Sequence, residues 1–292
     1  MAEWILQGQA GHVRISCGRD LFVFSTSSAV RRRAARLATV ALAAALCAAT
    51  TAGTAGAIVG GEDATQRYPF MASLPVTGVA APVEGVCGAT LIDPQWLLTA
   101  AHCVDPELVR PTGTVRVGSG WRESGGTVRG ISRTVTHPGY ALGGPNRNDV
   151  ALIRLDRPVA ERPVRLAEQP ARPGTPTRLL GFGTTADTTD HSRWVLPQRL
   201  QQLDARRASA AECAPGYAGA TRLCTVSRVP HAMACFGDSG GPQLQRGRDG
   251  RWELVGTTSG PGAPAPDCAS GPGLYSSVPA YADWIRRTVA AG

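Results

Sequence analysis

Lysine is missing from this chain, and all 30 basic residues are arginine. With 35 glycines, 22 prolines and abundant alanine, that bias suggests a GC-rich bacterial source, actinomycete-like in character. Aromatic residues are scarce at 5% and charged ones make up 18%, but 43% of the chain is apolar. That balance excludes a disordered protein and leaves enough apolar side chains for a sizeable core. The formal charge of +8 says little about partners, because residues 1 to 57 hold six Arg against Glu3 and Asp20 and the remainder carries 24 Arg against 20 acids. A nucleic-acid surface therefore has no support. No apolar run reaches the roughly 20 residues of a membrane-crossing helix, and the cysteines lack the close C-x-x-C pairs of a structural zinc site.

What is present begins with a targeting pattern. Arg31, Arg32, Arg33 and Arg36 form a basic region, Leu37 to Ala49 is an Ala/Leu-rich run, and small residues continue to Ala55-Gly56-Ala57. This is a secretory signal with an A-x-A site, so residues 1–57 are expected to be a leader and the mature protein to be secreted, with no membrane attachment after processing. The stretch ahead of Val30 fits no signal pattern, and the expected translation start lies near Val30. Cleavage after Ala57 would expose Ile58 directly, whereas a cut nearer Ala49 would leave Thr50 to Ala57 for a second protease. Direct exposure is the expected route, giving a protein active upon secretion, with the second cut as the alternative.

From Ile58 onward, short apolar runs are broken by Gly, Pro and Asp. Phe70 to Val76, Gly88 to Ile92, Trp96 to Thr99, Val115 to Val117 and Val150 to Arg154 form one set of strands. After a Pro/Arg-rich connection from Arg157 to Pro176, a second set comprises Leu179 to Gly183, Leu200 to Ala205, Pro242 to Gln245, Trp252 to Thr257 and Gly273 to Ser276. The pattern predicts an all-β barrel or sandwich, closed by a helix over Val278 to Val289 with Trp284 and Ile285 toward the body.

The chemistry is concentrated in Cys235-Phe236-Gly237-Asp238-Ser239-Gly240-Gly241-Pro242. Its glycines allow the main chain to fold tightly around Ser239 and aim NH groups at one point, which makes an oxyanion hole. A serine nucleophile needs a base. Thr99-Ala100-Ala101-His102-Cys103 offers one, and Asn148-Asp149-Val150 offers a carboxylate to orient it. Singly, each is more often a turn residue than a catalyst; His137, His191 and His231, in turn-like or polar contexts, are read as structural.

Together these segments make the chain resemble the trypsin/chymotrypsin family of serine proteases. The Ile58-Val59-Gly60-Gly61 start, the His102 and Ser239 motifs and the terminal Tyr281-Ala282-Asp283-Trp284-Ile285 segment occur in the family's order over residues 58 to 292. The resemblance implies two packed six-stranded antiparallel β-barrels with a C-terminal helix, barrel one over about 58–165 and barrel two over about 166–292. It implies a triad of His102, Asp149 and Ser239, an oxyanion hole of Gly237 and Ser239, and an activation pair in which the freed Ile58 amine meets Asp238. Among Cys87, Cys103, Cys213, Cys224, Cys235 and Cys268, 15 pairings are open from count alone. The resemblance selects Cys87 with Cys103, Cys213 with Cys224 and Cys235 with Cys268. No cofactor and no metal are implied. Protein substrates and protein protease inhibitors are the expected partners of a monomer.

The specificity pocket departs from trypsin-like relatives. Six residues before Ser239, where they carry Asp, stands Met233, followed by Ala234. Gly273 matches a pocket-wall glycine, Phe236 lies at the pocket mouth, and Ser259-Gly260-Pro261 replaces the usual Ser-Trp-Gly. These residues predict small or medium apolar side chains at P1 and a substrate-pairing edge weakened where Pro261 removes a donor. An insertion, Gly262 to Asp267, precedes Cys268. The rival function is a non-catalytic binding homologue on the same fold; an esterase of the α/β type would need alternating helices that the pattern lacks.

Overall fold

The structure is a computed structural model that describes residues 7–9, 12–17, 20–25, 58–80, 83–170 and 172–292. The signal segment read over Arg31 to Ala57, with Cys47, lies outside the described residues. The chain divides into Met1–Gly53 and Thr54–Gly292. In the first unit, β1 (Gln7–Gln9), β2 (His12–Cys17) and β3 (Asp20–Ser25) form a three-stranded antiparallel sheet. Sequence reasoning assigned no strands there, although Val13/Ile15 and Leu21/Val23 recur with the period of two that a strand requires.

The second unit holds β4 (Glu62–Asp63), β5 (Met71–Gly78), β6 (Glu84–Asp93), β7 (Trp96–Thr99), β8 (Val109–Pro111), β9 (Thr114–Val117), β10 (Thr127–Thr136) and β11 (Ala151–Leu155). It continues through β12 (Arg165–Leu166), β13 (Pro176–Gly181), β14 (Gln201–Arg207), β15 (Arg222–Ser227), β16 (Pro242–Arg246), β17 (Trp252–Pro261), β18 (Gly273–Ser277) and α1 (Val278–Ala290). Two rings of six antiparallel strands close on themselves, β6-β7-β11-β10-β9-β5 through the β5–β6 pairing and β17-β16-β13-β14-β15-β18 through the β17–β18 pairing. This is the chymotrypsin fold. Closure leaves neither ring an unpaired edge, and β8, β12 and β4 are short additions outside the rings.

Apolar strands, some of them such as β7 buried on both faces, supply the core of each ring. Leu74, Leu97, Leu98, Leu152, Ile153 and Leu155 are wholly buried in the first, and Leu179, Leu203, Val255 and Tyr275 in the second, each such side chain contributing about 1.5–3 kcal/mol by leaving water. Helix α1 turns Val278, Tyr281 and Ile285 inward at i, i+3 and i+7, and they join the core cluster that runs from the first barrel to Leu180, Leu244 and Leu254 of the second. Trp284 is half-buried and packs edge-on against His137, 5.1 Å between centroids.

The segment that starts at Ile58 is fastened to the second barrel. Strand β4 pairs with β14, and buried Gln202 accepts from Tyr68 Oη at 3.1 Å and Thr65 N at 3.2 Å while donating to Glu62 at 2.8 Å. At Gly88 the two barrels meet main chain on main chain. Gly88 N on β6 donates to Ser239 O at 2.7 Å, and a Cβ on Gly88 would stand 2.6 Å from Gly241 Cα. Only a residue without a side chain fits there.

Candidate active site

Strands β7 and β11 are antiparallel neighbours in which Thr99 opposes Ala151. The 3-10 turn Ala101–Cys103 follows the first and Asp149 immediately precedes the second, so His102 and Asp149 emerge at the same end of the barrel. Ala100 and Ala101 are fully buried, small enough for the turn to press on the core. Cys103 is bonded to Cys87 on β6, which braces the turn.

His102 Nδ1 lies 2.8 Å from Asp149 Oδ2, and His102 N donates to Oδ1 at 3.0 Å. Ser259 Oγ donates to Oδ2 at 2.6 Å. Burial by itself raises the Asp149 pKa, but the His102 charge and the hydrogen bonds from His102 and Ser259 outweigh it, and the carboxyl is held below its usual range. Burial likewise lowers the pKa of His102, and the Asp149 charge and hydrogen bond, with a further contribution from Asp105, reverse that and raise it. Nδ1 is thereby committed to Asp149, leaving Nε2 as the base toward the cleft.

Since only neutral imidazole accepts a proton, kcat/KM is expected to fall tenfold per pH unit below the His102 pKa, with the midpoint above the ordinary 6.5. Asp149→Asn should remove the lift and move the midpoint down, read from pH–rate profiles.

Ser239 sits in a turn that begins with Gly237 at φ +94 and continues with Gly240 at φ +78. A Cβ on Gly237 would stand 2.8 Å from Gly183 Cα. The Phe236 carbonyl turns away to accept from Thr184 N at 2.7 Å. Among the described residues, Gly237 N and Ser239 N donate to no protein acceptor, as an oxyanion hole requires. His102 and Ser239 line one cleft of about 560 Å³, without a hydrogen bond between them. Such bonds are commonly long in free enzymes and tighten around the substrate.

Asp238 points the other way, into the protein. It is buried and accepts from Gly183 N at 2.8 Å and Cys235 N at 2.9 Å. Burial pushes its pKa up to about 7, and those two hydrogen bonds offset only part of the shift. It has no ion-pair partner among the described residues. Ile58 is fully buried in the same barrel core, clustered with Met233 and Tyr275, and Val59 O accepts from Met233 N at 3.0 Å.

The pocket residues named from the sequence lie together in the cleft. Met233, 3% exposed, brings its sulfur against Gly273, where an added Cβ would be 2.9 Å away, and Tyr275 Oη lies 3.9 Å from that sulfur. Ala234, Ser259 and Gly260 line the same space, and Phe236 is 40% exposed beside it. Strand β17 continues through Pro261, which pairs with Gly273, so the edge expected to be weakened keeps its full length and lacks one donor. The bonded cysteines are Cys87–Cys103, Cys213–Cys224 and Cys235–Cys268, the last joining the Ser239 turn to the wall formed by the insertion. Among the described residues no group of three or more His, Cys, Asp or Glu side chains converges as a metal site.

Three contributors were not singled out in the sequence. Asp187 Oδ1 accepts from Cys268 N at 2.8 Å and Ala269 N at 3.1 Å, holding the inserted wall to the loop after β13. Asp267 lines the cleft and accepts from Ser270 N at 2.8 Å. Trp194 lines it as well, stacked on Phe236. Asp187 and Trp194 acquire their roles from partners distant in sequence, Cys268 and Phe236, whereas Asp267 is held within its own loop by Ser270.

Comparison with known proteins agrees with this geometry. A family model described as Trypsin matches residues 58–285. Human kallikrein-11 is 32% identical over 216 residues, 70% of this chain and 72% of that protein. The solved structure of mouse neuropsin, described as a serine protease expressed in the limbic system of mouse brain, superposes with a TM-score of 0.64 at 26% identity. That match covers 80% of this chain and 100% of the other.

Proposed function

This chain belongs to the trypsin family of serine proteases, which act on protein substrates, and from there we propose that it is a secreted endopeptidase working through His102, Asp149 and Ser239. One observation carries this function: the Asp149–His102 pair at 2.8 Å opens on the cleft that holds Ser239 and the unengaged NH groups of Gly237 and Ser239. His102 takes the Ser239 proton as Oγ attacks the peptide carbonyl. The oxyanion lodges on the two NH groups, His102 returns the proton to the leaving amine, and water then hydrolyses the acyl-enzyme.

The P1 residue proposed is small or medium and apolar. Met233 fills the end of the pocket, and a lysine or arginine side chain there would meet a thioether in place of a carboxylate. Asp267, the only acid among the described residues lining the cleft, is engaged by the Ser270 main chain. The disulfides fit an oxidising compartment, and the all-arginine composition fits an exported bacterial protein.

The test is the intact mass of the secreted protein before and after a sulfonyl fluoride, followed by a panel of peptide substrates differing at P1. A single adduct on a chain beginning at Ile58, with valine or leucine favoured over arginine by at least about 100-fold, is expected, since an unpaired buried cation costs about 3–5 kcal/mol. No adduct on a chain beginning at Ile58 would establish the non-catalytic homologue. Adduct formation with arginine preferred would overturn the pocket assignment alone.

A further inference from the structure

Trp194 and Phe236 stack with ring centroids 5.0 Å apart and planes 19° from parallel, and His191 meets the Trp194 ring edge-on at 6.3 Å. All three line the catalytic cleft. Phe236 remains 40% exposed. An exposed aromatic ring propped by a second one, beside an oxyanion donor, is a surface for another flat apolar group.

Its place in the cleft decides which part of a substrate it meets. The acyl part is assigned to the side of Ser259, Gly260 and Pro261, on the strand that pairs with β18. Phe236, at the mouth of the pocket, also borders the other side. Its carbonyl is held by Thr184 N, and a Cβ on the next residue, Gly237, would stand 3.2 Å from Val86 Cγ1 on β6. A chain laid along Ser259–Pro261 with its carbonyl at Gly237 and Ser239 therefore carries its leaving-group end between β6 and the Trp194–Phe236 stack.

We propose that the Trp194–Phe236 stack is a specificity-determining platform for an aromatic side chain within the first two residues after the scissile bond. This rests on the peptidase function proposed above. Phe236 presents the face and Trp194 holds it. A single exposed phenylalanine ring would rotate freely, whereas a stacked one offers a fixed plane at less entropic cost.

Acyl-transfer isolates this side of the cleft. An acyl-enzyme is formed from a short ester that has no peptide beyond the scissile bond, and dipeptide amides are added as competing nucleophiles. The amine nitrogen attacks the acyl carbonyl, the bond from that carbon to Ser239 Oγ breaks, and the proton released from nitrogen passes through His102 to Oγ. The ratio of aminolysis to hydrolysis then reports nucleophile binding. With the native enzyme, a dipeptide amide bearing phenylalanine at its first or second position is expected to capture the acyl group about 10-fold better than its alanine counterpart. Trp194→Ala and Phe236→Ala should bring that ratio near one, and Trp194→Phe should restore most of it. Each variant is scored only after confirming one sulfonyl adduct on Ser239, which verifies folding and the triad. No ester turnover and no adduct in the native protein would sink the peptidase function itself. Normal turnover with equal capture of phenylalanine and alanine nucleophiles would sink the platform alone.

Discussion

Ser239→Ala is expected to lower kcat about 10⁶-fold and to abolish the sulfonyl adduct, with little change in Tm. The asymmetry follows from the geometry. Among the described residues the Ser239 hydroxyl carries no hydrogen bond, whereas its main chain is structural, with Ser239 O accepting from Gly88 N at 2.7 Å. Removing Oγ therefore deletes the nucleophile and leaves the seam between the barrels intact. His102→Ala should cost about as much, and the double variant little more, because nucleophile and base act as one unit. A residual rate above the uncatalysed reaction should persist in all three, supplied by the NH groups of Gly237 and Ser239. Single-turnover kinetics on a peptide substrate measures each rate. A loss smaller than 100-fold in Ser239→Ala would remove that residue from the mechanism.

The second large effect concerns the start of the mature chain. Chains that retain residues ahead of Ile58 are expected to turn over at least about 10²-fold more slowly than chains beginning at Ile58, the cost of an oxyanion donor out of place. The physical cause is Asp238, buried without a cation and pushed up to about 7. In an uncleaved chain its folded pKa exceeds its ordinary 3.8. The stability it contributes is complete below about pH 4 and is lost as pH rises through about 7, on the order of 4 kcal/mol in all. A freed Ile58 amine placed beside it would reverse the balance, because each partner would favour the other's charged form.

Denaturant melts of both forms from pH 4 to 9 separate these curves. Chemistry supplies an independent readout, because a chain without lysine that begins at Ile58 has one primary amine. Amine-reactive reagents should label the folded mature protein slowly and the unfolded protein once. Rapid labelling of active enzyme would show that the amine does not pair inside.

The residues proposed for catalysis stood out in the sequence because their motifs are local: the glycines around Ser239, the small residues before His102 and the apolar strand after Asp149 each announce a backbone geometry. Strand existence was legible where apolar residues dominate, as in β6 and β7. Strand β10 escaped notice because Arg129, Arg133 and three threonines leave it mostly solvated, its pairing with β9 and β11 resting on main-chain hydrogen bonds. β15 escaped for a related reason, with a cysteine and polar residues in an otherwise short run. The hold on the inserted wall of the cleft was illegible in a deeper sense. Asp187 finds Cys268 across 81 residues, and no pattern in either neighbourhood points to the other.

The joint at Gly88 and Gly241 divides the molecule into what can vary and what cannot. Two backbones in direct contact offer natural selection no side chain to adjust, so the spacing between base and nucleophile is insulated from gradual change. Diversity in what is cleaved must then accumulate on the rim, in the Gly262–Asp267 insertion and the loop bearing Trp194. A laboratory search for new cleavage preferences should confine its mutations to those loops, where alternatives can be sampled without disturbing the chemistry beneath.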